Sequence, residues 1–428
     1  MILLINLLLT LFVLIEAQPS NDEINAARSV IERTLGAEVF EKHDIVLSGI
    51  PKTNDGFDVF EVSTSSGIPK TTLEIKGSSG VSITSGFYHY MRYYCNASVS
   101  WGVNRTGVNI GELASRLPVV SDPVRVVSYS KIRYMYNFCT LSYSLAFASA
   151  EDWQFQVDWM ALHGINAPLG AIGTEYVQGL MYSELGLSEE EILDFFPGPA
   201  FLGWNRMSDM DGPWSGPLSA DWRQRRASVA ALTFNQMRAL GMNVIRMGFS
   251  GHVPCAIERL FPDASFAPRQ TWQGFNSSCL LDPNDPLFPQ LAKLFMETQN
   301  NVFGDYGSGQ MYATDQWNEI SPSSYDHAYL QSYGKAVYDA MNDFDNESVW
   351  VMQAWFLVSI ALCEQGQTGA CQNGWLQENN ASSSVPYPRA AAYVMFECVV
   401  PDIFIDSLTY ISLEPNTVTC LEFQKVDS

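Results

Sequence analysis

An asparagine and a glutamate stand side by side at Trp317-Asn318-Glu319. They close the apolar run Met311-Tyr312-Ala313-Thr314-Asp315-Gln316 and precede the turn residues Ile320-Ser321-Pro322. The run reads as a buried strand that ends in a carboxylate, and parallel β/α architectures concentrate their chemistry at the C-terminal ends of strands. A glutamate there can give a proton to a glycosidic oxygen, while a neighbouring amide hydrogen-bonds the substituent on sugar carbon 2. The groups expected at the other strand ends are Asn137 and Cys139, Thr174-Glu175, Ser250-Gly251-His252 and Trp355. Amides and carboxylates bind hydroxyls, and indoles stack on the apolar face of a sugar ring. Each residue also has a plain structural reading. Glu319 suits a solvated strand end, Cys139 a small buried hydrophobe or a disulfide partner, and His252 a cap on the next helix. Trp204, Trp214, Trp272 and Trp355 suit the core. With five histidines, no HExxH or HxH spacing and no CxxC, the sequence offers no metal site. It also lacks a GxSxG elbow and a phosphate-binding glycine loop, so no cofactor is expected.

The elements that must hold these groups follow from periodicity. The short apolar runs Ile132–Cys139, Ile165–Ile172, Met242–Phe249, Met311–Trp317 and Val349–Phe356 alternate with helical stretches. The latter are Glu151–His163, Trp222–Leu240, Leu287–Phe303 and Tyr325–Phe344. This alternation predicts βαβ units and a parallel sheet. Trp153, Val157 and Met160 form one buried stripe, and Gly164 and Gly241 stand where helices stop. Ahead of this region, the helical stretch Asp22–Leu35, the strands Phe57–Ser63 and Thr71–Ile75, and a helix from Val81 to about Tyr94 predict a small α/β domain. The expected division is a signal segment at 1–17, the small domain at 18–125, a partial (β/α)8-type barrel at 126–356 and a divergent tail at 357–428. The tail has room for at most two further units of roughly 30 residues. It shows strand-like character only at Ala390–Val400 and Ile403–Leu413, so the barrel reads as cut short after about five strands.

Composition narrows the partners. The 428-residue chain carries 46 acidic and 24 basic residues, a formal charge of -22, which argues against nucleic acid or an anionic membrane as partner. The apolar segment Ile2–Ile15 followed by Glu16-Ala17 reads as a cleaved secretory signal, too short to span a bilayer comfortably. No membrane association is expected after cleavage. A lysosomal or extracellular destination follows. In that compartment the sequons at Asn96, Asn104, Asn276, Asn346 and Asn380 are glycan candidates. Eight cysteines suit an oxidising environment, with Cys363–Cys371 and Cys255–Cys279 as candidate pairs. Nothing in the sequence sets the oligomeric state.

Several stretches together resemble the lysosomal alpha-N-acetylglucosaminidase family of retaining glycoside hydrolases. They are Tyr136-Asn137-Phe138-Cys139-Thr140-Leu141-Ser142-Tyr143-Ser144, Asp158-Trp159-Met160-Ala161-Leu162-His163-Gly164-Ile165-Asn166 and Gly198-Pro199-Ala200-Phe201-Leu202-Gly203-Trp204. To these are added Asp211-Gly212-Pro213, Gly251-His252-Val253-Pro254, Trp317-Asn318-Glu319 and Gln353-Ala354-Trp355. The resemblance covers about residues 26–356. It implies a small α/β domain, a (β/α)8 barrel and a helical C-terminal domain. It also implies Glu319 as general acid/base, Asn318 beside the N-acetylated carbon, and Asn137 and Cys139 near the terminal sugar. Trp204, His252, Trp272 and Trp355 would be pocket positions. The implied substrate is a terminal, non-reducing alpha-linked N-acetylglucosamine, as on partly degraded heparan sulfate. In the family a second glutamate on a later strand is the nucleophile, and no segment of 357–428 resembles it. The expectation is therefore an impaired hydrolase, with a secreted sugar-binding protein without catalysis as the alternative.

Overall fold

The computed structural model describes residues 18–66, 71–100, 107–324 and 326–352, together with short strand segments at 391–392 and 411–412. The expected signal segment, Asn104, Trp355, Asn380, the Cys363–Cys371 pair and nearly all of the tail lie outside the described residues. Packing divides the chain into two units. The first comprises residues up to 134 with 150–167 and 235–242, and the second comprises 135–149, 168–234 and 243 onward.

The first unit is built on a four-stranded sheet. Asp44–Gly49 runs parallel to Thr71–Gly77, which pairs antiparallel with Val59–Ser66, which in turn pairs antiparallel with Val124–Val127. Leu73 and Ile75 alternate with half-exposed polar neighbours and are fully buried, as a sheet covered on one face requires. The helices Asn21–Leu35 and Gly80–Tyr94 each begin with a reciprocal capping box, Ser20 with Glu23 and Ser79 with Ser82. In the helix Ala150–Leu162 the stripe Trp153, Val157 and Met160 is buried as predicted. Gly164 (φ +81°) and Gly241 (φ +77°) end their helices in the left-handed region, where a side chain would be strained. Arg33 clamps Asp158 through two hydrogen bonds of 2.8 Å, joining the first helix to Ala150–Leu162.

In the second unit, parallel neighbours follow chain order. Leu169 N–H donates to the Met135 carbonyl (3.0 Å), and Gly170 N–H donates to that of Ile245 (2.7 Å). Arg246–Met247 pairs with Met311–Ala313, and Met311–Ala313 with Val349–Met352, both parallel. The expected run of five strands is present in the expected order. A further parallel neighbour, Ala391–Ala392, lies beside Val349–Met352, and Ile411–Ser412 pairs with it antiparallel. That antiparallel step departs from the all-parallel repeat of a β/α barrel, and no closed barrel is formed among the described residues. The strands are also far shorter than the apolar runs, only two residues at Arg246–Met247 and three at Met311–Ala313. Loops, short helices and a hairpin fill the difference, and the candidate site is made from them. Among the described residues no helix is long and apolar enough to cross a membrane.

Candidate functional site

The expected strand end at Glu319 needs correction. The strand stops at Ala313, and Thr314 to Ile320 form a loop beyond it. Buried side chains hold this loop. Trp317 packs against Tyr333 at 4.4 Å between ring centroids. Trp350 Nε1–H donates to the Thr314 carbonyl (2.9 Å). His252 Nε2 lies 2.8 Å from the Gln316 carbonyl, which can only accept, so Nε2 carries the proton and Nδ1 faces the Ser278 hydroxyl at 2.9 Å. Burial pushes the His252 ring down to about 4, so it is neutral at any pH above that. It is therefore an anchor under the loop. It caps no helix: the short turn Cys255–Arg259 starts at Pro254 without a side-chain cap.

Held from below in this way, the loop presents Asn318 half-buried and Glu319 exposed. Trp272 Nε1–H donates to Glu319 Oε2 (2.6 Å). Trp272 lies in a hairpin, Thr271–Trp272 against Phe275–Asn276, whose two turn residues Gln273 and Gly274 both have positive φ. Such a turn matches the twist of its strands. Trp204, at the end of the segment Phe201–Leu202–Gly203, comes within 6.1 Å of Trp272, ring to ring, and Tyr143 meets Trp204 edge-on at 5.6 Å. The two indoles and the carboxylate thus occupy one neighbourhood.

Asn137 and Cys139 reach that neighbourhood by a different route from the one expected. The predicted strand Ile132–Cys139 yields only Tyr134–Met135. Tyr136 has φ +82°, a costly conformation for an aromatic residue. Asn137 Oδ1 then accepts from Thr140 N–H (2.9 Å) and Thr140 Oγ1 (2.8 Å) at the start of the short turn Cys139–Ser142. The same turn receives Gly203 N–H on Ser142 Oγ (2.6 Å), beside Trp204. Asn137 Oδ1 is engaged in structure, and Cys139 is half-buried within the turn. Glu175, expected at a strand end, opens the helix Thr174–Leu185 instead. It is fully buried against Arg206 at 2.6 Å, so it serves as an internal ion pair. Cys255, at the start of the turn Cys255–Arg259, forms a disulfide with Cys279 in the strand Cys279–Leu280. Asn96, Asn276 and Asn346 are exposed.

Sequence reasoning missed Asp209. Its Oδ2 accepts from Asn318 Nδ2–H (2.8 Å) and its Oδ1 from Glu319 N–H (3.4 Å). It is 0% exposed. Burial lifts its carboxyl to about 7, against the lowering effect of those donors. Two residues on, Asp211 is also pushed up to about 7 by burial, although Arg269 lies 2.6 Å away. The Asp211-Gly212-Pro213 motif lay in view, but nothing in Met207-Ser208-Asp209-Met210 marks the middle carboxylate. Only its distant partners reveal it.

An exposed acid beside an amide, with two indoles alongside and parallel strands beneath, is an arrangement suited to a carbohydrate on a β/α fold. Comparison with known proteins narrows this class. Residues 25–119 match the alpha-N-acetylglucosaminidase N-terminal domain and residues 133–368 its TIM-barrel domain. Human alpha-N-acetylglucosaminidase is 33% identical over 337 residues, 78% of this chain and 44% of the human protein. A family 89 glycoside hydrolase from Clostridium perfringens, in complex with 2-acetamido-1,2-dideoxynojirmycin, is similar with a TM-score of 0.70 and 31% identity, over 77% of this chain and 36% of that one. A variant of the bacterial protein with two glutamates changed to glutamine, in complex with its substrate GlcNAc-alpha-1,4-galactose, gives 0.72 and 29%, over 83% and 38%. The chain belongs to the alpha-N-acetylglucosaminidase family. It spans less than half the length of these relatives.

Proposed function

We propose that this chain is a glycoside hydrolase acting on terminal, non-reducing alpha-linked N-acetylglucosamine, with Glu319 as general acid/base. The observation that carries the reading is Glu319 itself, an exposed carboxylate on a loop pinned by His252, Trp317 and Trp350, with Asn318 beside it and Trp272 in hydrogen-bond contact. In this reading Trp272 and Trp204 offer apolar surface to the sugar, and the Asn318 amide meets its acetamido group. Asn137 and Cys139 belong to the wall near Trp204, and Trp355, outside the described residues, is assigned to the pocket by its expected strand-end place and the family resemblance. Hydrolysis proceeds with retention by double displacement, which requires a second carboxylate ~5–5.5 Å from the first. Asp209 cannot be that nucleophile, because it is sealed from solvent and spent on Asn318 and Glu319. The nucleophile must come from elsewhere. The physiological substrate in this reading is a heparan sulfate-type glycan with an exposed neutral terminal sugar, which an acidic protein can accept. The protein would meet it in the secretory pathway, in lysosomes or outside the cell.

The burial of Asp209 is also what favours the second reading, a secreted sugar-binding protein without catalysis. One assay separates the two. Hydrolysis of 4-nitrophenyl alpha-N-acetylglucosaminide at acidic pH, lost in Glu319→Gln, supports the hydrolase. Saturable binding of N-acetylglucosamine without turnover supports the binding protein. Neither binding nor turnover contradicts both.

A further inference from the structure

The side-chain amide next to the candidate acid does not stand alone, since one buried carboxyl group spans both residues of the pair. Asp209 Oδ2 takes Asn318 Nδ2–H at 2.8 Å and Asp209 Oδ1 takes the Glu319 backbone N–H at 3.4 Å. From these contacts we propose that Asp209 is a positioning residue that sets sugar specificity: it holds the Asn318 amide with its nitrogen inward and its oxygen toward the sugar site, and so selects a C2 acetamido group over a C2 hydroxyl. This role rests on the proposed glycosidase reading of the same site.

An asparagine amide has two ends of opposite hydrogen-bonding sense, and rotation by half a turn exchanges them. A partner that accepts at Nδ2 removes that freedom. With Nδ2 held by Asp209, Oδ1 is the end turned the other way, on a half-exposed side chain. An acceptor there suits an acetamido N–H, which can only donate. A flipped amide would bring N–H against N–H. A hydroxyl both donates and accepts, so it tolerates either orientation. Loss of the inward acceptor should therefore weaken N-acetylglucosamine binding and leave glucose binding nearly unchanged. Unpaired polar groups in a sugar site are discriminated strongly, whereas apolar contacts are not. The grip on Glu319 N–H comes from the same carboxyl, so the orientation of the amide and the placement of the acid are set together.

The rest of the motif supports a built arrangement. Ser208, with φ +76°, turns the chain so that its carbonyl accepts from Ser278 N–H (3.4 Å). Ser278 is also the residue that faces His252 Nδ1. Asp209 is thus held by a neighbour that helps anchor the Gln316 carbonyl of the same loop.

The test is calorimetric titration of the full chain with N-acetylglucosamine and with glucose at about pH 8, above the Asp209 value of about 7, where both of its oxygens accept. Wild-type protein should prefer N-acetylglucosamine by at least about tenfold. Asp209→Leu removes both acceptors at similar volume and should shrink that ratio about tenfold, chiefly through weaker N-acetylglucosamine binding. Asp209→Ala is the second variant should leucine not fold, with the same expectation. Asp209→Asn keeps an acceptor oxygen for Asn318 and should hold the ratio within about twofold. A folded leucine or alanine variant that keeps the wild-type ratio overturns the role. So does an asparagine variant that loses as much as leucine, because charge would then be the determinant. Wild-type protein that binds neither sugar overturns the functional reading itself, and this role with it. Binding of both sugars by wild type with equal affinity overturns the specificity role alone.

Discussion

The two units of this chain are stabilised differently. In the first, the ladder pairing Val59–Ser66 with Thr71–Gly77 runs seven residues, and helix ends are satisfied by adjacent side chains such as Ser20 and Glu23. In the second, strands of two to four residues end early, and side chains distant in sequence hold the loops above them: His252 on Gln316, Trp350 on Thr314, Asp209 on Asn318 and Glu319. The first unit has long-range clamps too, Arg33 on Asp158 among them, but its helix caps are local and can be altered one at a time. Long-range satisfaction makes the second precise where chemistry is wanted, and fragile there. A change in a cap should cost stability alone, while a change in a loop anchor should alter both stability and site.

Four substitutions sharpen that contrast, taken from the largest expected effect down. Glu319→Gln should lower turnover by a factor of about 10²–10⁴ with little change in melting temperature, because the side chain is exposed. Kinetics and thermal melts on the same preparation check this, and a strong loss of stability would show Glu319 to be structural. His252→Ala removes a buried ring bonded on both nitrogens. It should cost about 2–4 kcal/mol in denaturant unfolding and weaken sugar binding as well. Intact binding would mean the loop does not depend on its anchor.

The third prediction concerns pH. Burial lifts Asp209 to about 7 in the folded protein, above an unfolded value of about 4. Between these limits the native state holds a proton that the unfolded chain has released. The stability this group gives is full below about pH 4 and is lost as pH rises through about 7. His252, depressed to about 4, works in the opposite sense over part of that range, so the useful quantity is a difference between variants. Asparagine at 209 does not titrate. Asp209→Asn should gain on wild type by about 4 kcal/mol between pH 4 and pH 8, read from paired unfolding curves. A constant difference across that range would contradict it. The fourth and smallest is Ser20→Ala, which should cost about 1 kcal/mol and leave sugar binding untouched. A binding defect there would erase the contrast between the units.

The sequence disclosed what repeats locally. Leu287–Phe303 has its predicted limits, the Trp153–Val157–Met160 stripe is buried, and five parallel strands occur in the predicted order, because periodicity along a short stretch determines which face is buried. Strand length was not legible. Ile132–Cys139 looks like a single strand, yet the positive φ at Tyr136 and the local bond from Thr140 N–H to Asn137 break it, and neither shows in the apolar pattern. The same holds for Glu319, read at a strand end and found six residues past one. Within the site, Glu319 and Asn318 were named from the residues and Trp272 and Trp204 through the family resemblance, and the four lie together. His252 was named but works beneath the loop. Asp209 escaped because a carboxylate acquires meaning from its partners, and its own lie more than a hundred positions away. The Cys255–Cys279 disulfide was one of two pairings that spacing left open.

The most direct test of the account is a crystal structure of this protein soaked with N-acetylglucosamine. The ring should lie against Trp272 and Trp204, with its anomeric oxygen within hydrogen-bond distance of the Glu319 carboxyl and its acetamido nitrogen facing Asn318 Oδ1. A sugar bound elsewhere, with Glu319 turned to open solvent, would contradict it.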